Sequence, residues 1–185
     1  MVITTPRLVL REFVKDDWPA ILAYQSDPRY LQYYAWTGRS GDDVRAFVAR
    51  FIDWQRASPR YRFQLAITLA ASGRLIGNCG LRLDEAAGRE GELGYELDPA
   101  HWGQGYATEA AGAMVRLGFE ELDLHRIRAW TVAENAASRR VLEKLGFRLE
   151  GLLRENRWFK GRWWDTALYG ILESEWLTSR KGGER

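Results

Sequence analysis

The amino-acid sequence predicts one α+β domain, with a mixed, mostly antiparallel sheet of about seven strands flanked by about four helices. Three observations support this prediction. The chain has 185 residues, which fits a single domain with a substantial core. Segments with strand-like alternation follow one another directly in the middle of the chain, and segments with helical spacing separate the others. A glycine-rich loop connects a late strand to a late helix.

Each element rests on a local pattern. Leu8 and Leu10 alternate with other residues as in a strand, and Ser40 with Asp43 resembles the capping box that begins a helix. Gly146 is typical of a helix C-terminus. The predicted strands comprise residues 7–13, 63–68, 74–83, 92–97, 128–132, 147–157 and 163–172, and the predicted helices comprise residues 16–25, 42–57, 106–122 and 135–145.

The chain shows no internal repeat and no linker, so residues 1–178 are predicted to form one domain. Lys160-Gly161 favours a hairpin turn between the last two strands. A polar loop is expected over residues 84–91, and residues 179–185 are expected to form a disordered tail.

Composition argues against several classes of protein. The formal net charge of +2 gives no basic surface for nucleic acid, and most of the nine tryptophans are expected in the core and in cleft walls rather than on a stacking surface. No apolar run approaches the roughly 20 residues of a membrane span, and the first residues lack a signal-peptide block, so we expect a cytoplasmic protein without membrane contact. One cysteine, Cys79, and two histidines do not support a disulfide or a metal site.

The segment from Pro99 to Ala110 carries the chemistry. Gly103 and Gly105 let the backbone approach a ligand closely, so the N–H groups of about residues 103–108 can point at one anion, aided by the dipole of the following helix. A Gly-X-Gly step alone is also typical of a plain turn. The segment lacks the Gly-Lys-Ser/Thr step of a Walker A loop and comes too late for a dinucleotide fingerprint. We therefore predict a diphosphate site built from main-chain amides.

Four segments together resemble the GNAT superfamily of N-acetyltransferases, and within it the ribosomal-protein N-terminal acetyltransferases of the RimJ/RimL type. In chain order they are Thr5-Pro-Arg-Leu-Val-Leu-Arg11, Glu92-Leu-Gly-Tyr-Glu-Leu-Asp-Pro99, Trp102-Gly-Gln-Gly-Tyr-Ala-Thr-Glu-Ala110 and Asn135-Ala-Ala-Ser-Arg-Arg-Val-Leu-Glu-Lys-Leu-Gly-Phe147. The resemblance covers nearly the whole chain. It implies a GNAT fold with a splayed sheet, acetyl-coenzyme A as co-substrate, no metal, and direct transfer of an acetyl group to a primary amine.

The resemblance also implies roles for individual residues. Asn135 would hold the pantetheine arm, Ser138 would lie near the thioester sulfur, and a main-chain N–H near Leu97 would meet the oxyanion. The residues expected to bind the cofactor are Leu97, Trp102, Gly103, Gln104, Gly105, Tyr106, Ala107, Thr108, Asn135 and Ser138. The family's loop often begins with Gln or Arg where this chain has Trp102, which we expect to form a wall. Several relatives carry a tyrosine as general acid where this chain has Leu142, so Ser138 becomes the candidate.

Two glutamates could accept the proton of the attacking amine. An N-terminal α-amine, with a pKa of about 7.7–8.0, needs only modest help from a base. Glu92 and Glu96 share one strand face because the side-chain period of a strand is two, and Gly94 leaves room between them. We rank Glu92 before Glu96. The alternative is that these acids form cross-strand pairs with arginines such as Arg82 or Arg128.

Other polar residues near the loop have structural alternatives. Asn135 and Ser138 also suit the N-cap and third position of the last predicted helix. We expect Glu109 to cap or balance the N-terminus of its helix, since an acid facing a pyrophosphate would repel it. Arg139 and Arg140 could reach the adenosine phosphate or form solvated surface.

The leading predicted function is acetylation of the N-terminal α-amine of a ribosomal protein. The alternatives are a small-molecule or antibiotic acetyltransferase and a sensor that binds acetyl-coenzyme A without turnover. Aromatic segments at residues 30–36 and 158–164 are expected to line the acceptor side, which favours a peptide N-terminus over a polyamine. Tryptophans on the surface and open sheet edges suggest a homodimer.

Overall fold

The computed structural model describes residues 1–83 and 89–182. The strands are β1 (Val2–Thr4), β2 (Leu8–Arg11), β3 (Arg62–Leu69), β4 (Leu75–Leu83), β5 (Glu90–Leu97), β6 (Arg126–Val132), β7 (Arg148–Phe159) and β8 (Arg162–Leu172). The helices are α1 (Trp18–Gln25), α2 (Pro28–Leu31), α3 (Gly41–Arg56), α4 (Tyr106–Glu120), α5 (Ala136–Lys144) and α6 (Glu173–Gly182). Short 3₁₀ turns at Lys15–Asp17 and Pro99–His101 precede α1 and the glycine-rich loop.

All the strands belong to one sheet, in the order β1-β2-β3-β4-β5-β6-β8-β7. Among the described strands, only β5 and β6 pair in parallel. The predicted fold class, α+β with a mixed and mostly antiparallel sheet, is therefore confirmed.

Three described elements are absent from the sequence prediction. Strand β1 and helix α2 contain 3 and 4 residues, too few for a period to show. Helix α6 runs through residues 179–182, which the sequence assigns to a tail, and residues 183–185 lie outside the described residues. Of the loop predicted over residues 84–91, residues 84–88 also lie outside them.

The sheet opens between its two central strands. The ladder between β5 and β6 contains the pairs Glu90 with Arg126 through Glu92 with Arg128, and beyond these pairs the strands diverge. The remaining half of β5, up to Leu97, faces the gap. This splay creates the cleft described below.

Helices cover the sheet on both faces. On one face, α4 contributes Ala110, Met114 and Leu117 to a core shared with Leu65 and Ile127 of the sheet. The opposite face carries a second core, in which α1 and α3 pack on β3 and β4 through Ile21, Val44, Val48, Phe51, Ala66 and Leu75. Successive residues of β3 enter opposite cores, as the side-chain period of a strand requires.

Several local signals match the structure. Ser40 and Asp43 form a reciprocal capping box at the start of α3. Gly146 ends α5 with φ of +86°. Lys160 and Gly161, with φ of +52° and +74°, turn the chain between β7 and β8, as expected for a two-residue hairpin. Among the described helices, none combines the length and the apolar character that crossing a bilayer would demand.

The expectation for the tryptophans is only partly met. Trp164 is buried, whereas Trp130, Trp158 and Trp163 are about half exposed. Trp158 and Trp163 face each other across β7 and β8, with ring centroids 5.3 Å apart. Arg157 covers the ring of Trp130 at 4.7 Å. These rings pack against one another and against a guanidinium, so they remain on the surface at reduced solvent contact.

Candidate active site

A cleft of about 450 Å³ lies where β5 and β6 diverge. Residues 101–108, except Gln104, line one end, which we call the loop end. At the other end lie Tyr30, Tyr34 and Glu96, which we call the Glu96 end. The start of α5 and the last residues of β5 form the walls between them. One cleft therefore joins two chemically different ends.

The loop end presents main-chain donors. Gly103 and Gly105 have φ of +76° and +81°, a left-handed conformation that favours glycine. Gly105 is the N-cap of α4, and no side chain caps this helix. The first amides of a helix have no intrahelical acceptor, and Tyr106, Ala107 and Thr108 line the cleft. Uncapped amides at the positive end of a helix dipole fit a phosphate group.

Of the two roles expected for Glu109, capping the N-terminus of α4 or balancing its dipole, the structure contradicts the cap, because no side chain caps this helix. The Glu109 carboxylate turns back to the N-terminal segment, where it accepts hydrogen bonds from Thr5 Oγ1 (2.7 Å), Arg7 N (2.9 Å) and Arg7 Nε (2.7 Å). Burial alone would raise the pKa of Glu109, but these hydrogen bonds outweigh it and hold the pKa below its usual value. Gln104 is not among the cleft-lining residues, and its carbonyl accepts a hydrogen bond from Arg7 Nη1 (2.9 Å).

The start of α5 contributes Asn135 and Ser138 to the cleft. Asn135 is the N-cap, and its Oδ1 accepts the Ser138 N–H at 3.1 Å. The Ser138 hydroxyl lies 3.0 Å from the hydroxyl of Tyr95, which reaches across from β5. Burial raises the pKa of Tyr95, so this phenol stays protonated, and its hydroxyl also donates to the main-chain carbonyl of Ser138 at 3.0 Å.

Leu97 turns its main-chain polar groups toward the gap. Asp98 N–H donates to Ile76 O on β4 at 2.7 Å, and main-chain direction alternates along an antiparallel strand. The N–H of Leu97 therefore points away from β4, toward the cleft. Its carbonyl accepts the indole N–H of Trp102 at 2.8 Å, which ties the cleft-lining Trp102 ring to the strand.

Glu96 is the carboxylate at the other end. Its Oε1 accepts hydrogen bonds from Tyr24 (2.7 Å), Gln25 (2.8 Å) and Asn78. Its Oε2 accepts one from Tyr30 and a longer one from Tyr34 (3.5 Å). No lysine or arginine forms an ion pair with Glu96 within the described part of the chain. The carboxylate is thus oriented by neutral donors and retains an uncompensated negative charge.

The donors around Glu96 are themselves fixed. Buried Gln64 donates to Asn78 Oδ1 at 2.7 Å, and Arg39 donates to Gln25 Oε1 at 2.9 Å. Burial and then the nearby Glu96 charge raise the pKa values of the three tyrosines at this end, Tyr24, Tyr30 and Tyr34. The phenols therefore remain neutral donors to the carboxylate.

Glu92, ranked first from the sequence, is outside the cleft. It lies on the same strand face as Glu96 but about 13 Å along the strand. Its carboxylate lies 3.3 Å from Arg82 Nη1 and 3.6 Å from Arg128 Nε, the cross-strand pairs named as the alternative. Arg128 also approaches Glu90 at 3.3 Å. The structure therefore brings Ser138 and Glu96 to one cleft, whereas Glu92 lies outside it in ion pairs with arginines of the neighbouring strands.

Of the two arginines and the two aromatic segments that the sequence placed near the cleft, one of each lines it. Arg140 lines the cleft, whereas Arg139 donates to Tyr169 Oη at 3.0 Å on the other side of α5. Tyr33 and its neighbours in the 30–36 segment line the cleft, but no residue of the 158–164 segment does. Trp164 instead supports the cleft from behind by packing edge-on against Tyr33, with centroids 6.0 Å apart.

Sequence reasoning missed the side chains that orient Glu96 and Ser138. These are Tyr24, Gln25, Asn78 and Tyr95. Asn78 did carry a signal, because it is a polar residue inside the otherwise apolar strand β4. Tyr95 also carried one, since strand alternation points it away from Glu96 and toward α5.

One cleft thus joins main-chain amides that suit an anion to a carboxylate that suits a cation. Residues 7–148 match the acetyltransferase (GNAT) domain. Over 176 residues the chain is 35% identical to the uncharacterized N-acetyltransferase YnaD of Bacillus subtilis, covering 95% of this chain and 99% of that protein. The chain belongs to the GNAT acetyltransferase family and is an N-acetyltransferase.

Solved structures share the fold. A GNAT-family acetyltransferase from Bacillus anthracis is 32% identical, with a TM-score of 0.82 over 95% of this chain and 100% of that one. RimL, a ribosomal L7/L12 α-N-protein acetyltransferase solved with coenzyme A, is 21% identical, with a TM-score of 0.82 over 93% and 98%. A spermidine N-acetyltransferase from Vibrio cholerae, solved with coenzyme A and spermine, is 24% identical, with a TM-score of 0.79 over 94% and 99%. The last two similarities concern the fold alone.

Proposed function

We propose that this chain transfers an acetyl group from acetyl-coenzyme A to the N-terminal α-amine of a protein or peptide, as ribosomal-protein acetyltransferases of the RimJ/RimL type do. One observation carries the proposal: a single cleft joins uncapped helix amides at the loop end to an uncompensated carboxylate at the Glu96 end. The first end suits a pyrophosphate and the second an ammonium group. Both substrates of amine acetylation would therefore meet in the middle of the cleft.

The residues of the loop end fit the pyrophosphate. Gly103 and residues 105–108 line one space. Glycine at the two positions with positive φ lets the backbone approach a ligand there without an intervening side chain. Arg140 and Lys144 line the same cleft from α5 and would meet the adenosine phosphate. Asn135 and the wall of Trp102 would hold the pantetheine arm between these groups and the reaction centre.

The remaining residues divide the work of the acetyl transfer. Acetyl-coenzyme A supplies a thioester. After the ammonium group has given one proton to Glu96, the neutral amine nitrogen bonds to the carbonyl carbon and the carbon–sulfur bond breaks. A second proton then leaves the nitrogen and balances the proton that the sulfur gains. Glu96 attracts the ammonium group and receives its proton, directly or through a water. The Leu97 N–H polarises the carbonyl oxygen. The Ser138 hydroxyl, oriented by Tyr95, donates a proton or a hydrogen bond to the departing sulfur.

The charges of the cleft favour an α-amine over a polyamine. A polyamine carries several positive charges and requires several free carboxylates. Of the two glutamates that line the cleft, Glu134 already pairs with Arg162 at 2.7 Å, which leaves Glu96. A single amine followed by a neutral peptide segment therefore suits the Glu96 end, with a small-molecule amine as the other candidate acceptor.

The test is release of free coenzyme A thiol from acetyl-coenzyme A with a panel of acceptors. The panel contains peptides with different N-termini, the same peptides with blocked N-termini and an internal lysine, polyamines, amino acids and aminoglycosides. We expect turnover with free N-termini and none with the blocked peptides. Faster turnover with polyamines or aminoglycosides would replace the peptide proposal. Absence of turnover, with acetyl-coenzyme A still bound, would contradict the proposed reaction for these acceptors.

A further inference from the structure

One residue outside the cleft connects three parts of the loop end. Arg7, in the segment between β1 and β2, donates from Nε to Glu109 on α4 (2.7 Å) and from Nη1 to the carbonyl of Gln104 (2.9 Å). Its guanidinium also covers the ring of Tyr106 at 4.5 Å. Arg7 is not among the cleft-lining residues, so it contacts the loop from behind.

The hydrogen bond to Gln104 fixes the direction of one amide. In a planar trans peptide, the C=O of one residue and the N–H of the next point in opposite directions. Because the Gln104 carbonyl points at Arg7, the N–H of Gly105 points away from Arg7, toward the cleft that Gly105 lines. A Cβ on Gly105 would lie 3.4 Å from Arg7 Nη2, so the guanidinium is adjacent to Gly105 as well as to Gln104.

Glu109 fixes the position of Arg7, and the positive charge of Arg7 neutralises the Glu109 carboxylate. The carboxylate accepts the Arg7 N–H and Nε–H together, and Thr5 Oγ1 completes the contact. An acid in the first turn of α4 would otherwise repel an anion bound at the same helix end. The pairing therefore both anchors Arg7 and cancels a charge that would oppose phosphate binding.

We propose that Arg7, held by Glu109 and Thr5, is a positioning residue that sets the Gln104–Gly105 peptide for pyrophosphate binding without contacting the cofactor. The proposal rests on the proposed function, because it needs coenzyme A in the cleft. It gives the N-terminal segment Thr5-Pro-Arg7, about 100 residues away in sequence, a part in cofactor affinity.

The experiment measures the Kd values of coenzyme A and of pantetheine, which lacks the pyrophosphate, by titration calorimetry. The variants are Arg7→Ala, Arg7→Lys and Glu109→Gln, with Arg45→Ala as a control for loss of an exposed arginine paired to Asp42. We expect Arg7→Ala to weaken coenzyme A binding about tenfold and Arg7→Lys about fivefold, as loss of charge-assisted hydrogen bonds implies. Pantetheine binding should stay within about twofold of wild type for all variants.

The outcomes separate this inference from its alternatives. Equal weakening for both ligands would indicate a general effect on folding and overturn the inference, with thermal unfolding as the check on the fold. Coenzyme A binding by Arg7→Ala within about twofold of wild type would also overturn it. Unchanged coenzyme A binding by Glu109→Gln beside weakened binding by Arg7→Ala would mean that Glu109 does not hold Arg7 in position, again against the inference. Failure of the wild-type protein to bind coenzyme A would instead contradict the proposed function itself.

Discussion

The loop end and the Glu96 end of the cleft are built from different parts of the chain. The loop end uses main-chain amides of one continuous segment, residues 103–108, shaped by two glycines and the start of α4. The Glu96 end uses side chains that α1, α2 and β4 bring to one carboxylate of β5. A change at the loop end therefore alters backbone geometry, whereas a change at the Glu96 end removes a chemical group. The first should affect cofactor affinity, and the second should affect turnover.

The largest expected effect is at the Glu96 end. Glu96→Gln keeps the size of the side chain but removes the charge and the proton acceptor. We expect kcat to fall about a hundredfold, as for loss of a general base, with the Kd of coenzyme A unchanged. Thiol-release kinetics and calorimetry measure the two quantities. The matched control is Glu92→Gln, on the same strand face but in the ion pairs with Arg82 and Arg128, which should leave kcat unchanged. Equal losses in both variants would show that charge on β5, rather than position in the cleft, matters.

The loop end gives the second effect. Gly103 has φ of +76°, and no atom lies within 4 Å of the position that a Cβ would take there, so Gly103→Ala adds backbone strain without a clash. That strain costs about 1–2 kcal/mol, and we expect the Kd of coenzyme A to rise about tenfold at nearly constant kcat. Gly161→Ala is the matched control, because Gly161 has φ of +74° and equally open space in the β7–β8 turn. It should lower the unfolding midpoint similarly but leave affinity unchanged. If Gly103→Ala lowers kcat rather than the affinity for coenzyme A, the assignment of affinity to the loop end and turnover to the Glu96 end is wrong.

The different construction of the two ends also explains which parts of the cleft could be predicted from the sequence. The loop end was predictable because its glycines and its helix start are contiguous, and their chemistry depends on main-chain atoms that every residue has. At the Glu96 end, the sequence could show that Glu92 and Glu96 share a face, but not which of them meets the cleft. That depends on where β5 separates from β6, and the separation comes from pairing between segments far apart in sequence. Tyr24, Asn78 and their partners converge for the same non-local reason.

Tyr95 and Ser138 lie between the ends and sharpen the comparison. Tyr95→Phe removes the hydroxyl that contacts Ser138 Oγ at 3.0 Å while keeping the ring. Loss of one hydrogen bond of about 1 kcal/mol should lower kcat roughly fivefold and leave the KM for acetyl-coenzyme A unchanged. Ser138→Ala should lower kcat at least as much. Because the two hydroxyls act together, the double variant should be no slower than Ser138→Ala alone. Additive losses would mean that Tyr95 acts independently of Ser138.

The smallest effect concerns stability in acid. The pKa of Glu109 is lowered in the folded protein, so the carboxylate stabilises the fold above its unfolded pKa, and this contribution is lost as pH falls through the lower, folded pKa. Glu109→Gln should reduce the free energy of unfolding at neutral pH by at most about 1 kcal/mol, because its partner Arg7 is half exposed. The difference from wild type should begin to shrink below about pH 4.3, the usual pKa of an unfolded glutamate, and should vanish only once the pH has passed the lower, folded pKa. Urea unfolding at a series of pH values measures this difference.

Asp42→Asn, in an exposed pair with Arg45, should show no such pH-dependent deficit. A deficit in Glu109→Gln that persists in acid would mean that Glu109 supports the loop end through shape rather than through its charge on Arg7.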